Sequence, residues 1–428
     1  MHPEDRMRVS FSAAPRRLSL RPDLPAMSFS SPVQPLAGLR VLDLSRVLAG
    51  PMCAMALADL GADVIKVEHP SRGDDTRDWG VRVGTRNTSY FNSANRNKRS
   101  VTIDLQSSEG VRIATELAMQ SDVVIENFKV GGADKLGLGY AQLSALNPRL
   151  VYCSISGYSR MTAEAERPGY DLLVQGEAGI MAMNGEAGQG PLKFGVAAVD
   201  MFTGMYAGQA ILAALYERHA TGRGRHVQMA LYDSGLMITS YYGMEALLKG
   251  SDPPKFGNAH PSIVPYGVFD AADGPLVITV GNNGQFVRFC EQVVGRPEWA
   301  ADERFATNTA RSANREVLLP LVREALRAFS RRELLAKLGE AQIPCGEVLG
   351  MHEALTSART SDAKLLHRFE DPEAGTQAVL APPYVLDGER AAVRRPPPHL
   401  GQHTDEVLRE LLGMDDGAIA AARAQQAI

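Results

Sequence analysis

The sequence predicts an α/β protein, a large Rossmann-like doubly wound domain with a mostly parallel sheet, accompanied by a smaller α+β domain. Two observations predict it. Through the first third of the chain, short apolar strand candidates alternate with amphipathic helical patterns, the signature of βαβ units. Beyond residue 255 the pattern changes to a hairpin followed by long helical stretches.

In chain order, residues 39–44 (LRVLDL) form the first strand candidate, and residues 45–51 (SRVLAGP) lead into a helix that Gly61 stops. Residues 62–68 (ADVIKVE) make the second strand. The alternation continues with a helix near 109–120, a strand at 122–126, a helix near Ala141 and a strand at 150–154. Later, an apolar run breaks at Asp200. Behind it Met201, Phe202, Met205, Gly208, Ile211, Leu212 and Leu215 recur at helical spacing and predict one buried apolar face. Residues 227–246 read as strand then helix, and 251–255 (SDPPK) as a break. Residues 263–269 and 276–280 flank the turn at 272–274 as a hairpin, and helical patterns fill 285–294 and 314–338. The domain plan is an N-terminal extension at 1–35, a large domain at 36–230, a linker region at 231–255, a small domain at 256–340 and a last segment at 341–428. In that segment successive prolines keep 396–398 extended ahead of an amphipathic helix from Asp405.

Composition narrows the function classes. Of 428 residues, 45% are apolar and 22% charged, as in a globular protein, and the net charge of −4 argues against a nucleic-acid partner. No uninterrupted apolar run is long enough for a bilayer, so no membrane partner is expected. Cys53, Cys153, Cys290 and Cys345 lie far apart, with neither metal-ligand nor disulfide spacing; reduced thiols of a cytoplasmic protein are the expectation. The first 27 residues carry five arginines against three acids but lack an apolar segment for secretion, and Glu4 and Asp5 spoil a mitochondrial pattern. They read as a disordered extension or as sequence ahead of a start at Met27.

Two sites stand out on chemistry. The first βα loop has the single glycine Gly50, followed by Pro51, where a dinucleotide fold would place G-x-G-x-x-G. A nicotinamide-dependent oxidoreductase is therefore disfavoured, although Glu68 stands where a ribose-binding acid would. Asp200 sits where a strand or turn hands over to a helix; read alone it is first of all a favoured N-cap, and equally a carboxylate beside anion-favouring backbone N–H groups.

Several motifs in order, LRVLDLSRVLAGP (39–51), LGADVIKVE (60–68), NKRS (97–100), ENF (126–128), NPRL (147–150), GYD (169–171), VDMFTG (199–204) and HLGQHT (399–404), resemble those of the family III CoA-transferases, the CaiB/BaiF family. The resemblance runs from about residue 36 to the C-terminus. It implies a large domain built from both chain ends, so that 341–428 returns to it, and an interlocked homodimer. It implies Asp200 as the nucleophile, with Val47, Leu48, Ala49, His69, Ile103, Asn127, Phe128, Lys129 and Lys135 at the CoA-binding positions. His69 stands where several relatives have arginine, and a lysine by itself is more often a solvated surface charge.

The chemistry so implied begins with attack of the carboxylate on an acyl-CoA. A mixed anhydride forms, then an aspartyl-CoA thioester, which an incoming carboxylic acid captures. No cofactor is needed beyond coenzyme A as a substrate, and no metal. The family's 2-methylacyl-CoA racemases have histidine where this chain has Tyr170, and a phenol with a pKa near 10 shuttles protons poorly near neutrality. Transfer is thus favoured over racemisation, and Tyr170 either faces the substrate or packs beside the site. The long glycine-rich loop of formyl-CoA:oxalate transferases is missing between Asp233 and Asn282. Instead residues 257–266 (GNAHPSIVPY) resemble the branch that uses succinyl-CoA and dicarboxylates, with His260 and Ser262 as candidates for the distal carboxylate. A CoA-binding protein without catalysis would keep the basic loops and dispense with Asp200.

Overall fold

The computed structural model describes residues 34–428; the extension expected at 1–35 lies, up to residue 33, outside the described residues. Six strands form one parallel sheet: β1 (Arg40–Asp43), β2 (Asp63–Glu68), β3 (Lys98–Thr102), β4 (Val123–Glu126), β5 (Val151–Ser156) and β6 (His226–Ala230). Their spatial order is β3-β2-β1-β4-β5-β6, every neighbouring pair parallel. This is the nucleotide-fold order, in which the winding direction reverses between β1 and β4 and leaves a crevice at their carboxyl ends. β1 and β4 are buried almost throughout, as expected for strands covered on both faces.

Helix α1 (Ala49–Asp59) covers one face of the sheet, and α2 (Ser108–Met119), capped by the Ser107 hydroxyl on the Gly110 N–H, covers the other. The C-terminal helices Thr404–Leu412 and Asp416–Ala424 join α2: Val407, Leu408, Ile419 and Ala422 pack with Leu42, Ile65 and Val101. Arg99 of β3 binds Asp63 (Nε–Oδ1 2.9 Å) and Glu410 (2.6 Å), tying that C-terminal layer to the sheet edge.

Two further helices frame the crevice, α3 (Asp171–Glu177) and the long α4 (Ala198–Thr221). The expected apolar face of α4 requires correction. Its buried residues are mainly the small ones, among them Ala198, Gly204, Ala207, Gly208 and Ala214, together with Ile211 and Leu215. Met201, Phe202 and Met205 remain 36%, 46% and 57% exposed. The helix is apolar nearly all round, so periodicity could not choose its inner side. Small residues won because α4 packs tightly on α1: a Cβ on Gly204 would meet the Ala49 carbonyl oxygen at 2.6 Å. By length and composition this 24-residue helix would also pass for a membrane span, which the sequence reading missed; half of that apolar stretch is buried within the fold.

Where a linker region was expected, helices α5 (Leu231–Ile238) and α6 (Ser240–Lys249) follow β6. A second core, with Val264, Phe269, Leu276, Ile278, Phe286, Phe289, Leu318 and Leu334, lies between residues 264 and 343. Its antiparallel sheet pairs β7 (Tyr266–Ala271) with β8 (Gly274–Thr279), and β8 with β9 (Cys345–Glu347). The expected hairpin is thus present, its first strand running two to three residues later, and its second one to two residues earlier, than the sequence pattern placed them.

Candidate active site

Three segments meet at the crevice beside β1 and β4. The loop after β1 contributes Arg46, Val47, Leu48 and Ala49; the loop after β4 contributes Asn127, Phe128 and Lys129; the far wall holds Tyr170 and Asp200. Asn127 joins the first two, its Oδ1 accepting the Arg46 N–H (2.9 Å) and its Nδ2 donating to the Arg46 carbonyl (2.7 Å).

Asp200 does not cap its helix. α4 begins at Ala198, which leaves Asp200 inside the first turn, and the cap comes from a distant side chain. Asp171 Oδ1 accepts the N–H groups of Val199 (2.8 Å) and Asp200 (3.3 Å). Gln175 in turn donates to Asp171 Oδ2 (2.6 Å) and accepts the Phe194 N–H (2.8 Å), so the turn ahead of α4 is fixed by α3. Freed from capping, the Asp200 carboxyl has no cation beside it among the described residues. Burial, and then the Asp171 charge, push its pKa up to about 7. A carboxylate that gains nothing from a cation is also not quenched by one, and it faces a pocket.

Next to this pocket lies a second, sharing Arg46 and Phe128 with it. Its walls include Leu44, Val67, Ile103, Leu105 and Leu136, with His69, Arg72 and Gln106 at polar positions. An apolar slot flanked by cationic side chains suits an aromatic base with phosphates. Glu68 also lines this slot, but its carboxylate is committed: Arg77 binds both oxygens (2.7 Å each), and the Ser100 hydroxyl and Asp74 N–H add to them. It is not available to a ribose in the way the sequence position suggested.

The sequence-derived residues distribute unevenly. Val47, Leu48, Ala49, Asn127, Phe128, Lys129, Tyr170 and Asp200 surround one pocket; His69 and Ile103 line the other. Lys135, exposed at the end of the short helix Gly132–Lys135, lines neither. Neither His260 nor Ser262 is among the residues around Asp200. His260 Nδ1 is engaged in its own turn, accepting the N–H groups of Ser262 and Ile263 (3.1 Å each), while the ring stacks on Tyr241. Sequence reading passed over Arg46, Arg72 and Tyr90. Burial, and then the charges of Asp200, Asp171 and Asp74, push the Tyr90 phenol's pKa up, which keeps it a hydrogen-bond donor. No motif flagged it; its partners lie far away in the chain. Among the described residues no cluster suited to a metal ion occurs.

The family model described as CoA-transferase family III matches residues 36–404. The chain is a family III CoA-transferase. The enzyme is similar to the succinate–glutarate CoA-transferase of Agrobacterium fabrum, 40% identical over 383 residues that cover 88% of this chain and 96% of that one. It is 37% identical to the human succinyl-CoA:glutarate CoA-transferase, over 90% of this chain and 88% of the human one. Among solved structures, a CAIB/BAIF family protein from Brucella suis matches with a TM-score of 0.78 at 41% identity, covering 88% of this chain and 99% of that one. This CoA-transferase therefore shares its α/β architecture with that family, and CoA is its substrate.

Proposed function

We propose that this CoA-transferase moves CoA from succinyl-CoA to a second dicarboxylic acid, with Asp200 as the covalent relay. The observation that carries the relay is the Asp200 carboxyl itself, cation-free and half-buried at the start of α4 in a pocket lined by Leu48 and Ala49. The amides of Leu48 and Ala49 have no acceptor among the described residues and stand at the N-terminus of α1. An acyl thioester bound there meets a nucleophile on one side and amide donors for its oxyanion on the other.

The steps balance as follows. An Asp200 oxygen attacks the thioester carbonyl and expels the CoA thiolate, leaving a mixed anhydride. The thiolate attacks the aspartyl carbon, forming aspartyl-CoA and releasing succinate. The acceptor carboxylate attacks that carbon, the thiolate leaves again and attacks the acceptor's acyl carbon. Asp200 is regenerated holding one oxygen from the acceptor. Water must be kept out, because the anhydride hydrolyses.

Support for the dicarboxylate assignment lies in the named activities of the two relatives above and in the likeness of residues 257–266 to that branch. A homodimer belongs to the same proposal. Met201, Phe202 and Met205 on α4, Leu236 and Met237 on α5 and Tyr241, Met244 and Leu247 on α6 are exposed, and α5 packs on both α4 and α6, which offers a second copy apolar surface to cover. A cytoplasmic location is proposed with it, from the unpaired cysteines. Incubating the enzyme with succinyl-CoA and a panel of mono- and dicarboxylic acids, then reading thioester masses, tests the function. New dicarboxyl-CoA thioesters are expected; transfer to monocarboxylates alone would refute the substrate class.

A further inference from the structure

The loop that carries Leu48 and Ala49 is strained. Val47 has a φ of +71°, in the left-handed region where a β-branched side chain crowds the backbone. Its N–H is held by both oxygens of Asp74 at 3.3 Å. Asp74 is buried and paired with the equally buried Lys66 ammonium at 2.9 Å. The same ammonium donates to the carbonyl of Ser45, two residues ahead of Val47, at 2.9 Å. Asn127 binds both backbone groups of the intervening Arg46. A second buried pair, Lys98–Asp43 (2.9 Å), grips the ends of the segment. Asp43 Oδ1 accepts the Ser45 N–H (3.0 Å) and Lys98 Nζ donates to the Pro51 carbonyl (2.9 Å).

Buried ion pairs are poor sources of stability, because desolvating two charges offsets most of their attraction, and apolar replacements often do as well. Two such pairs under the one loop between β1 and α1, joined to a strained valine, call for another explanation. We propose that Lys66 and Asp74 are positioning residues. They hold Val47 in its left-handed conformation and so fix the amides of Leu48 and Ala49 in register with a thioester carbonyl placed against Asp200. This rests on the reading of the Asp200 pocket as the site of acyl transfer. The ion pair touches no reacting atom; it acts through the conformation of the loop.

The test exploits glycine, which adopts a positive φ without steric cost. In the full-length enzyme, replacing the pair together (Lys66→Met with Asp74→Leu) leaves no orphan charge and lets Val47 relax. We expect kcat to fall about 100-fold, with a much smaller change in KM for acyl-CoA. Adding Val47→Gly to that double variant restores kcat at least roughly tenfold, since glycine holds the turn without a clamp. Val47→Gly alone raises the melting temperature by about 1–2 °C.

An unchanged kcat in the pair replacement overturns the proposal, as does failure of the glycine to rescue it. Should the pair replacement not fold, Val47→Gly alone decides: a lowered melting temperature contradicts the strain on which the clamp depends. Asp200→Asn, run in parallel, separates the two readings. Turnover surviving in that variant sinks the active-site assignment, whereas a dead Asp200→Asn with no glycine rescue sinks the clamp alone.

Discussion

Two groups of carboxylates meet at one crevice, and their pKa values are displaced in opposite directions. Asp43, Glu68 and Asp74, beneath the first βα loop, are shut away from solvent, and desolvation alone would raise their pKa values. Lys98, Arg77 and Lys66 nevertheless hold all three below the ordinary range. Asp200, across the pocket, has no such partner among the described residues, and the charge that acts on it there is that of the like-charged Asp171. The first group is charged and immobilised; the second is poised to change state near neutrality. What separates scaffold from reacting group is the presence of a cation, not the depth of burial.

The sharpest way to break this contrast is at Asp200. Asp200→Asn is expected to lower CoA exchange by at least roughly a thousandfold while CoA binding, measured by calorimetry, stays within about twofold. On the opposite side, Arg77→Met strands the buried Glu68 charge. A loss of about 3–5 kcal/mol of unfolding free energy follows, read from urea melts, and far exceeds any change in the chemical step of the enzyme that still folds.

The pH dependence then tests the asymmetry itself. In the proposed relay only ionised Asp200 attacks, so kcat/KM should climb with pH, reach half its plateau near 7 and stay flat above. Stability runs the other way. The folded state holds this proton more tightly than the unfolded chain, so its contribution falls as pH rises through the unfolded value and is fully lost above about 7. Asp200→Asn should accordingly raise the melting temperature more at pH 8 than at pH 4. Asp171→Asn keeps an oxygen for the Val199 and Asp200 amides but drops the charge. The midpoint of the rate profile should move to lower pH, by about one unit, with kcat at pH 8 reduced less than tenfold. The smallest effect is expected at the rim: Lys129→Ala raises KM for acyl-CoA about two- to fivefold and leaves kcat intact.

Much of the fold was legible because its signals are local. The run 39–44 is apolar at four of its six positions since β1 is covered on both faces, and Gly61, at a φ of +109°, ends the segment after α1 as a stop residue should. The inner face of α4 was not legible, because both its sides are apolar and only the close approach of α1 at Gly204 selects the small one. Asp200 stood out from its neighbours, yet what keeps it from capping, the Asp171 carboxylate 29 residues earlier, leaves no periodic trace. The same holds for Val47, whose conformation depends on Asp74 across 27 residues. His260 was picked for its chemistry, and the engagement of its Nδ1 by the backbone of its own turn has no counterpart in the sequence pattern. Contacts between side chains remote in sequence decide such questions, and composition carries no record of them.

The relay through Asp200 is the claim on which the function rests, and isotope transfer examines it directly. The enzyme would turn over succinyl-CoA with an acceptor dicarboxylate labelled with oxygen-18 in both carboxyl groups, in unlabelled water, and then be digested for peptide mass spectrometry. The account predicts label on Asp200 and on no other carboxylate. Brisk turnover with Asp200 unlabelled would contradict it.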